Sequence, residues 1–94
     1  MVSESKPSVL SHEQGHFDIS EIYARKIRKA LTELLKRNVV EEATLNKEVN
    51  AFLRELETYQ KRYDSDTHHG FNLEKQKNWN ASILKELAQL QKFD

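Results

Sequence analysis

The stretch VLSHEQGHFDISEIYARKIRKALTELLKR, residues 9–37, decides the fold class of this 94-residue chain. Its large apolar side chains recur at intervals of three, four and five residues, which is the spacing that gathers side chains on one face of an α-helix. These positions are Val9, Leu10, Phe17, Ile22, Ile27, Leu31, Leu34 and Leu35. Pro7 fixes a backbone angle suited to a helix start, and the Ser8 hydroxyl can cap the helix. The pattern therefore predicts a first helix over residues 8–37.

Two further segments of the chain have apolar residues at helical spacing. The second set of apolar positions predicts a helix over residues 41–63, with Thr44 as its cap. The third set predicts a helix over residues 72–92, with Asn72 as its cap. Between them, residues 64–70 contain no apolar side chain and end in glycine, so they are predicted to form a loop. The second set is Leu45, Val49, Phe52, Leu53, Leu56, Tyr59 and Tyr63. The third is Leu73, Trp79, Ile83, Leu87, Leu90 and Phe93, with the polar Gln76 at the same spacing.

The fold class follows from these three segments. The chain has 37% apolar and 32% charged residues, with two Gly and one Pro, a composition that suits amphipathic helices better than a sheet with tight turns. No segment alternates apolar and polar residues as a strand does, and no internal repeat is present. We therefore predict one all-α domain of three helices over residues 1–94. Its expected core is Leu31, Leu34, Phe52, Leu56, Trp79, Ile83 and Leu87.

Charge and composition exclude several classes of function. The formal net charge is +0, and acidic residues flank the basic cluster of residues 25–29, so we expect no nucleic-acid partner. No apolar run reaches transmembrane length, so we expect no membrane insertion. Residues 1–11 lack the apolar stretch of a signal peptide, although an exported protein whose signal has been removed would look the same. There is no Cys, so any metal must be held by His, Asp or Glu.

One motif in the first predicted helix carries chemistry, namely His12-Glu13-Gln14-Gly15-His16. Residues four apart on a helix project from one face with β-carbons about 5–6 Å apart. The imidazoles of His12 and His16 can therefore reach one Zn²⁺ at roughly 2.0–2.1 Å each. Glu13 points toward the open side of the metal, where it can take a proton from the zinc-bound water that attacks a peptide carbonyl. The spacing predicts zinc-dependent hydrolysis.

The alternative interpretation of this motif is two surface histidines on a charged helix, and Gly15 argues against it. Glycine inside a helix costs about 1 kcal/mol relative to alanine, so we expect another part of the chain to pack closely against it. On the same helix, Asp18 is a candidate for orienting a ligand imidazole. Apolar neighbours also favour a buried active-site helix. These are Val9, Leu10, Phe17 and Ile19.

Residues 12–19, HEQGHFDI, continuing through residues 21–25, EIYAR, closely resemble a bacterial family of proposed zinc-dependent proteases of unknown function. A second block, at an independent spacing, follows the order of that family's C-terminal part. This block is Tyr63-Asp64, Thr67, His69-Gly70, Gln76 and Trp79. Together the two blocks span most of residues 9–90.

The resemblance implies a metallopeptidase of the zincin type. Zinc would be held by His12, His16 and, as the third ligand, His69, with Glu13 as the general base. The third ligand has three alternatives among the polar residues around His69. These are His68, Asp64 and Asp66.

The resemblance covers only the C-terminal, helical part of a zincin. Zincins place a β-sheet before the active-site helix to hold an extended substrate, whereas eleven residues precede His12 here. We therefore expect a partner chain or an N-terminal segment to supply that sheet. From the 94 residues alone we expect weak or no activity on a peptide or protein substrate. The alternative function is a non-catalytic helical interaction module that retains a relic or structural metal site.

Overall fold

The computed structural model of the protein describes residues 7–94, which form three α-helices and a short 3₁₀ turn. The helices are α1 (Pro7–Lys36), α2 (Glu42–Thr67) and α3 (Leu73–Gln89), and the 3₁₀ turn is Gln91–Phe93. No strand occurs among these residues, so the predicted all-α, three-helix fold is confirmed. None of the helices described is both long enough and apolar enough to cross a membrane. The side chain of Ser8, the predicted cap of the first helix, lies outside the side chains described.

The helix α1 is the spine of the molecule, because α2 and α3 both pack along it and contact each other less extensively. The core lies where all three helices meet, around two apolar turns in the middle of α1. Its fully or nearly buried side chains are Ile19, Ile22, Tyr23, Tyr63 and Ile83. Partly buried side chains pack around these, namely Phe52, Leu56, Tyr59, Trp79, Leu87 and Leu90.

The predicted core was wrong at two positions, Leu31 and Leu34, which are only partly buried and lie outside the core cluster. The reason is the length of α3. Its 17 residues span about 26 Å, whereas the 30 residues of α1 span about 45 Å. The end of α3 lies beside Arg25, whose guanidinium donates to the Leu87 carbonyl at 2.8 Å. Beyond that point α1 is no longer covered by α3.

The end of α2 also departs from the prediction. Instead of a loop over residues 64–70, the helix continues for one more turn through Thr67. It ends where His68 adopts the left-handed conformation, with φ of 48° and ψ of 51°. The amides of His68 and His69 donate to the carbonyls of Ser65 and Asp64 at 3.2 and 2.9 Å, a hydrogen-bond pattern that closes a helix terminus. Asp64 therefore lies in the last turn of α2 and not on a loop.

The remaining helix ends follow local side-chain chemistry. Asn72 caps α3 as predicted, because its side chain accepts a hydrogen bond from the Lys75 amide at 3.0 Å. A turn follows α1, with Asn38 in the left-handed conformation at a φ of 63°. Thr44 is not the cap of α2, since it lies inside a helix that begins at Glu42.

Candidate metal centre

The two histidines of α1 and one carboxylate of α2 meet at a single point. His12 Nε2 lies 2.9 Å from Asp64 Oδ1, and His16 Nε2 lies 2.6 Å from the same oxygen. One candidate ligand atom from each of the three residues lies within 4.8 Å of the other two. His12 is buried, whereas His16 and Asp64 are partly exposed. These three side chains could hold a metal ion with one side open.

The other ring nitrogen of each histidine, Nδ1, contacts the side chain of a glutamine. His12 Nδ1 lies 2.9 Å from Gln76 Oε1, and His16 Nδ1 lies 2.5 Å from Gln60 Oε1. An amide oxygen can only accept a hydrogen bond, so each Nδ1 carries the proton and donates it. A neutral imidazole protonated at Nδ1 has its lone pair at Nε2. Two lone pairs and the Asp64 carboxylate oxygen therefore face one another, an arrangement that a cation stabilises.

The electrostatics of Asp64 favour its anionic form. Burial alone would raise the pKa of this carboxyl. When the imidazoles of His16 and His12 also carry a proton at Nε2, as they can in the absence of a metal, their hydrogen bonds and positive charge outweigh burial and hold the pKa of Asp64 below the ordinary value of 3.8. Asp64 is thus a carboxylate at neutral pH, the form in which it can bind a metal.

A tetrahedral zinc ion would require these ligand atoms to move apart. Tetrahedral zinc with bonds of about 2.0–2.2 Å to nitrogen and oxygen keeps its ligand atoms about 3.3 Å apart. The two Nε2–Oδ1 distances, 2.9 and 2.6 Å, are shorter than this by about 0.4 and 0.7 Å. Small rotations of the side chains would open them. The donor set itself, two imidazoles and a carboxylate, is one that zinc uses in catalytic sites.

Tyr63 forms the inner wall of this centre and explains Gly15. The Tyr63 ring stacks on the His12 ring with centroids 4.7 Å apart and 10° between planes. Its hydroxyl donates to the His12 carbonyl at 2.8 Å. A Cβ at position 15 would lie 2.6 Å from Tyr63 Cζ and closer still to its hydroxyl oxygen. The close approach predicted at Gly15 is therefore confirmed, and it holds the His12 side chain in place.

Gly70 closes the centre from the other side. Its φ of 95° is a conformation that residues with a Cβ rarely adopt. A Cβ here would also lie only 2.8 Å from His12 Cβ. The chain after α2 can therefore turn back against the histidine only with glycine at this position.

Two acidic residues of the same part of α1, Glu13 and Asp18, lie outside the cluster of ligand atoms. Glu13 is exposed and follows His12 on α1. Asp18 does not orient a histidine, since its carboxylate accepts a hydrogen bond from the Gln14 amide at 2.8 Å. Glu13 is exposed to solvent, whereas the Asp18 carboxylate pairs with Gln14 on the surface of α1.

Four residues were candidates for the third metal ligand, and only one of them lies in the same cluster as the two histidines. Asp64 joins them, as described above. His69 is 76% exposed, and its Nδ1 lies 3.9 Å from Asp64 Oδ1, close to the centre but outside the cluster of ligand atoms. His68 and Asp66 are exposed and do not join the cluster either. The geometry favours Asp64, and ligation by His69 stays a prediction.

Two glutamines in the site were not predicted to have a role there. Gln76 entered as a position of the third predicted helix and through the family resemblance, and no role was predicted for Gln60. A signal existed for the second of them, since Gln60, Asp64 and Thr67 are spaced four and three residues apart. This polar stripe continues the face of α2 that packs against α1, and it would also have predicted the extra turn of the helix.

A comparison with known protein families identifies the family of this chain. A family model described as "Bacterial protein of unknown function (DUF922)" matches residues 5–70, which include both histidines of α1 and Asp64. That description gives no activity. A search of curated proteins and a search of solved structures each find no match to the chain.

Proposed function

The chain belongs to DUF922, a bacterial family of unknown function, and we propose that it carries the zinc centre of a metallopeptidase. In this proposal His12, His16 and Asp64 hold Zn²⁺, and Glu13 is the general base. The substrate class is a peptide or protein. The single observation that supports this most is the convergence of three acceptor atoms, two imidazole nitrogens and a carboxylate oxygen, on one point.

Zinc is favoured over other biological cations by the donor set. Calcium and magnesium prefer shells made entirely of oxygen, whereas two imidazoles and one carboxylate suit zinc. Three protein ligands leave a fourth position open, which is the property that separates catalytic from structural zinc sites. A zinc ion held there would lower the pKa of water and polarise a substrate carbonyl.

The chain's own residues supply the proton transfer and the orientation. Glu13 follows the ligand His12 on α1 and has an exposed carboxylate, so it can take a proton from the attacking water and pass it to the leaving amine. Asp64 adds one negative charge close to the two neutral imidazoles. We expect weak or no turnover from residues 1–94 alone, because a productive site also needs an oriented substrate and the exclusion of water.

A helical interaction module with a structural metal site is the second candidate. Exposed aromatic side chains favour it, since Phe17 is 74% exposed and Phe71 is 81% exposed. In this case the His69 side chain would move closer to the metal and become a fourth protein ligand, which closes the site. The two candidates therefore differ in whether the fourth position is taken by His69 or left open.

The experiment measures zinc stoichiometry and then access to the bound metal. We expect one zinc per chain, lost in His12→Ala and His16→Ala and strongly weakened in Asp64→Ala. His68→Ala, which changes an exposed histidine outside the cluster, is the matched control and should bind zinc normally. An absence of zinc binding, or binding that the His12 and His16 variants retain, would refute the metal centre.

The open position is tested with a peptide hydroxamate, which binds zinc only where a coordination site is free. We expect the zinc-loaded chain to bind it, His69→Ala to leave its affinity unchanged, and Glu13→Gln to weaken it while retaining the metal. If the chain binds zinc but binds the hydroxamate only after His69→Ala, the site is closed by four protein ligands. That result would favour the structural site over the peptidase.

A further inference from the structure

The proton positions of the two histidines are set by side chains that form no part of the proposed ligand set. Gln60 on α2 faces His16, and Gln76 on α3 faces His12. Each glutamine has an oxygen and an amino group that could exchange places by a flip of the amide. Which atom faces the imidazole therefore decides which tautomer the histidine adopts.

The orientation of Gln60 is fixed by a backbone carbonyl. Its amino group donates to the His16 carbonyl oxygen at 3.0 Å and to the Ser20 hydroxyl at 3.2 Å. A carbonyl oxygen can only accept, so a flipped amide would place two acceptors against each other at this position. The Gln60 oxygen must therefore face His16 Nδ1, which must carry a proton.

The orientation of Gln76 is fixed by a longer chain of hydrogen bonds that ends at another carbonyl. Tyr63 gives its only hydroxyl proton to the His12 carbonyl at 2.8 Å. Its oxygen must therefore accept from the neighbouring Gln76 amino group, which lies 2.6 Å away. The same amino group donates to Asn80 Oδ1 at 2.9 Å. The Gln76 oxygen is left to face His12 Nδ1, which again must carry a proton.

Thr67 adds an independent constraint on His12. Its hydroxyl donates to the Tyr63 carbonyl at 2.8 Å and accepts from the Gly70 amide at 3.2 Å. The hydroxyl oxygen also lies 3.4 Å from His12 Nδ1. Because the hydroxyl proton is already used, Thr67 too can only accept from His12 Nδ1. Gln76 and Thr67 thus both require a proton on His12 Nδ1, as Gln60 does on His16 Nδ1.

We propose that Gln60 and Gln76 are positioning residues that lock both histidines as Nδ1–H tautomers, so that each presents Nε2 to the metal. This rests on the proposed zinc centre, and it assigns the coordinating atom and the groups that select it. An unrestrained neutral imidazole favours a proton on Nε2, the nitrogen that must be bare to bind a metal. The two glutamines reverse that preference before the metal arrives. They also fix the plane of each ring.

The choice of a neutral amide has a chemical consequence. A carboxylate in place of each glutamine would make the imidazole a stronger donor and reduce the effective charge of the metal. Glutamine fixes the ring without adding charge, so the metal remains a stronger Lewis acid. Partners of this kind contribute about 10–100-fold to metal affinity in known zinc sites.

The test uses the 94-residue chain with ¹⁵N-labelled histidine, and NMR reads the protonation of each ring nitrogen. In the zinc-loaded chain we expect Nδ1 of His12 and His16 to be protonated and Nε2 to be bound. Gln60→Leu should lower zinc affinity about 10–100-fold and let His16 Nδ1 lose its proton. Gln60→Glu keeps an acceptor oxygen and should keep Nδ1–H. Gln89→Leu, which changes an exposed glutamine of α3, is the control for the substitution itself.

The outcomes separate this proposal from the zinc centre. Coordination through Nδ1, or unchanged affinity and unchanged Nδ1–H in Gln60→Leu, would overturn the lock while leaving the metal site standing. A chain that binds no zinc would refute the centre, and the metal-free spectrum would still test the lock, since Nδ1 of both histidines must stay protonated there. A loss of stability alone would not change the coordinating nitrogen. The test uses variants of Gln60, because Gln76 is buried and replacing Gln76 would also affect folding.

Discussion

Replacing Gly15 by alanine would place a methyl group where the Tyr63 ring crosses α1. The new Cβ would lie 2.6 Å from Tyr63 Cζ and in direct overlap with the hydroxyl oxygen. Tyr63 is fully buried, so its ring cannot simply swing into solvent. It must shift within the core or push α1 away from α2. Either movement strains the hydrogen bonds that the hydroxyl forms with the His12 carbonyl and the Gln76 amide.

The magnitude follows from three opposing contributions. Alanine gains about 1 kcal/mol over glycine in a helix interior. Overpacking a tight core costs about 1–3 kcal/mol, and a weakened buried hydrogen bond costs about 1 kcal/mol more. We therefore expect Gly15→Ala to lower the free energy of unfolding by about 1–3 kcal/mol. For a chain of this size the melting temperature falls by roughly 4–8 °C for each kcal/mol.

The assay is urea and thermal unfolding of the metal-free chain, followed by circular dichroism. A matched pair compares Gly15→Ala in the natural chain and in Tyr63→Phe, which lacks the oxygen nearest to the new methyl group. The penalty should shrink in the Tyr63→Phe background if the overlap is its cause. Gly15→Ala should also weaken zinc binding, because Tyr63 stacks on His12. A variant as stable as the natural chain, or more stable, would refute this packing.

Three further predictions concern stability. Asn72→Ala removes the cap of α3 and should cost about 1 kcal/mol in urea unfolding. The hydrogen bond from Arg25 is the main cause that holds the pKa of Glu21 below its ordinary value of 4.5. The ionised form of Glu21 therefore contributes stability that is lost as the pH falls through the folded pKa. Glu21→Gln should lower the melting temperature at pH 7, and the difference from the natural chain should shrink below pH 4.5. Burial raises the pKa of all three tyrosines above 10.0, so stability should fall as the pH rises beyond that value, and tyrosinate absorbance should appear only as the chain unfolds. The tyrosines are Tyr23, Tyr59 and Tyr63.

The fold could be predicted because apolar spacing reports directly on helices. The regular spacing in residues 9–35 was enough to place α1 within one residue at each end. The centre of the core could not be placed in the same way. Leu31 and Leu34 are as apolar as Ile19 and Ile22, and only the length and position of α3 decide which pair is buried. That is a property of three-dimensional packing, which the spacing within one helix does not contain.

The site was predictable where its residues are close in sequence and less so elsewhere. The pair His12 and His16 follows from helix geometry alone. Asp64 was an alternative ligand on a supposed loop, because its neighbours are polar and polar runs usually lie outside helices. Tertiary contacts instead extend α2 through this polar run, since Thr67 is buried and lies within hydrogen-bond distance of His12 on α1. Gln60 lies 44 residues from His16, and no local pattern links the two.

The most direct measurement of the central claim is anomalous diffraction from crystals of the zinc-loaded chain at the zinc absorption edge. We predict one peak within roughly 2.0–2.2 Å of His12 Nε2, His16 Nε2 and an Asp64 carboxylate oxygen. The distances between these ligand atoms should open to about 3.3 Å, as tetrahedral zinc requires. A zinc-loaded crystal with no peak between these three side chains, or with its peak at another group of residues, would contradict the account.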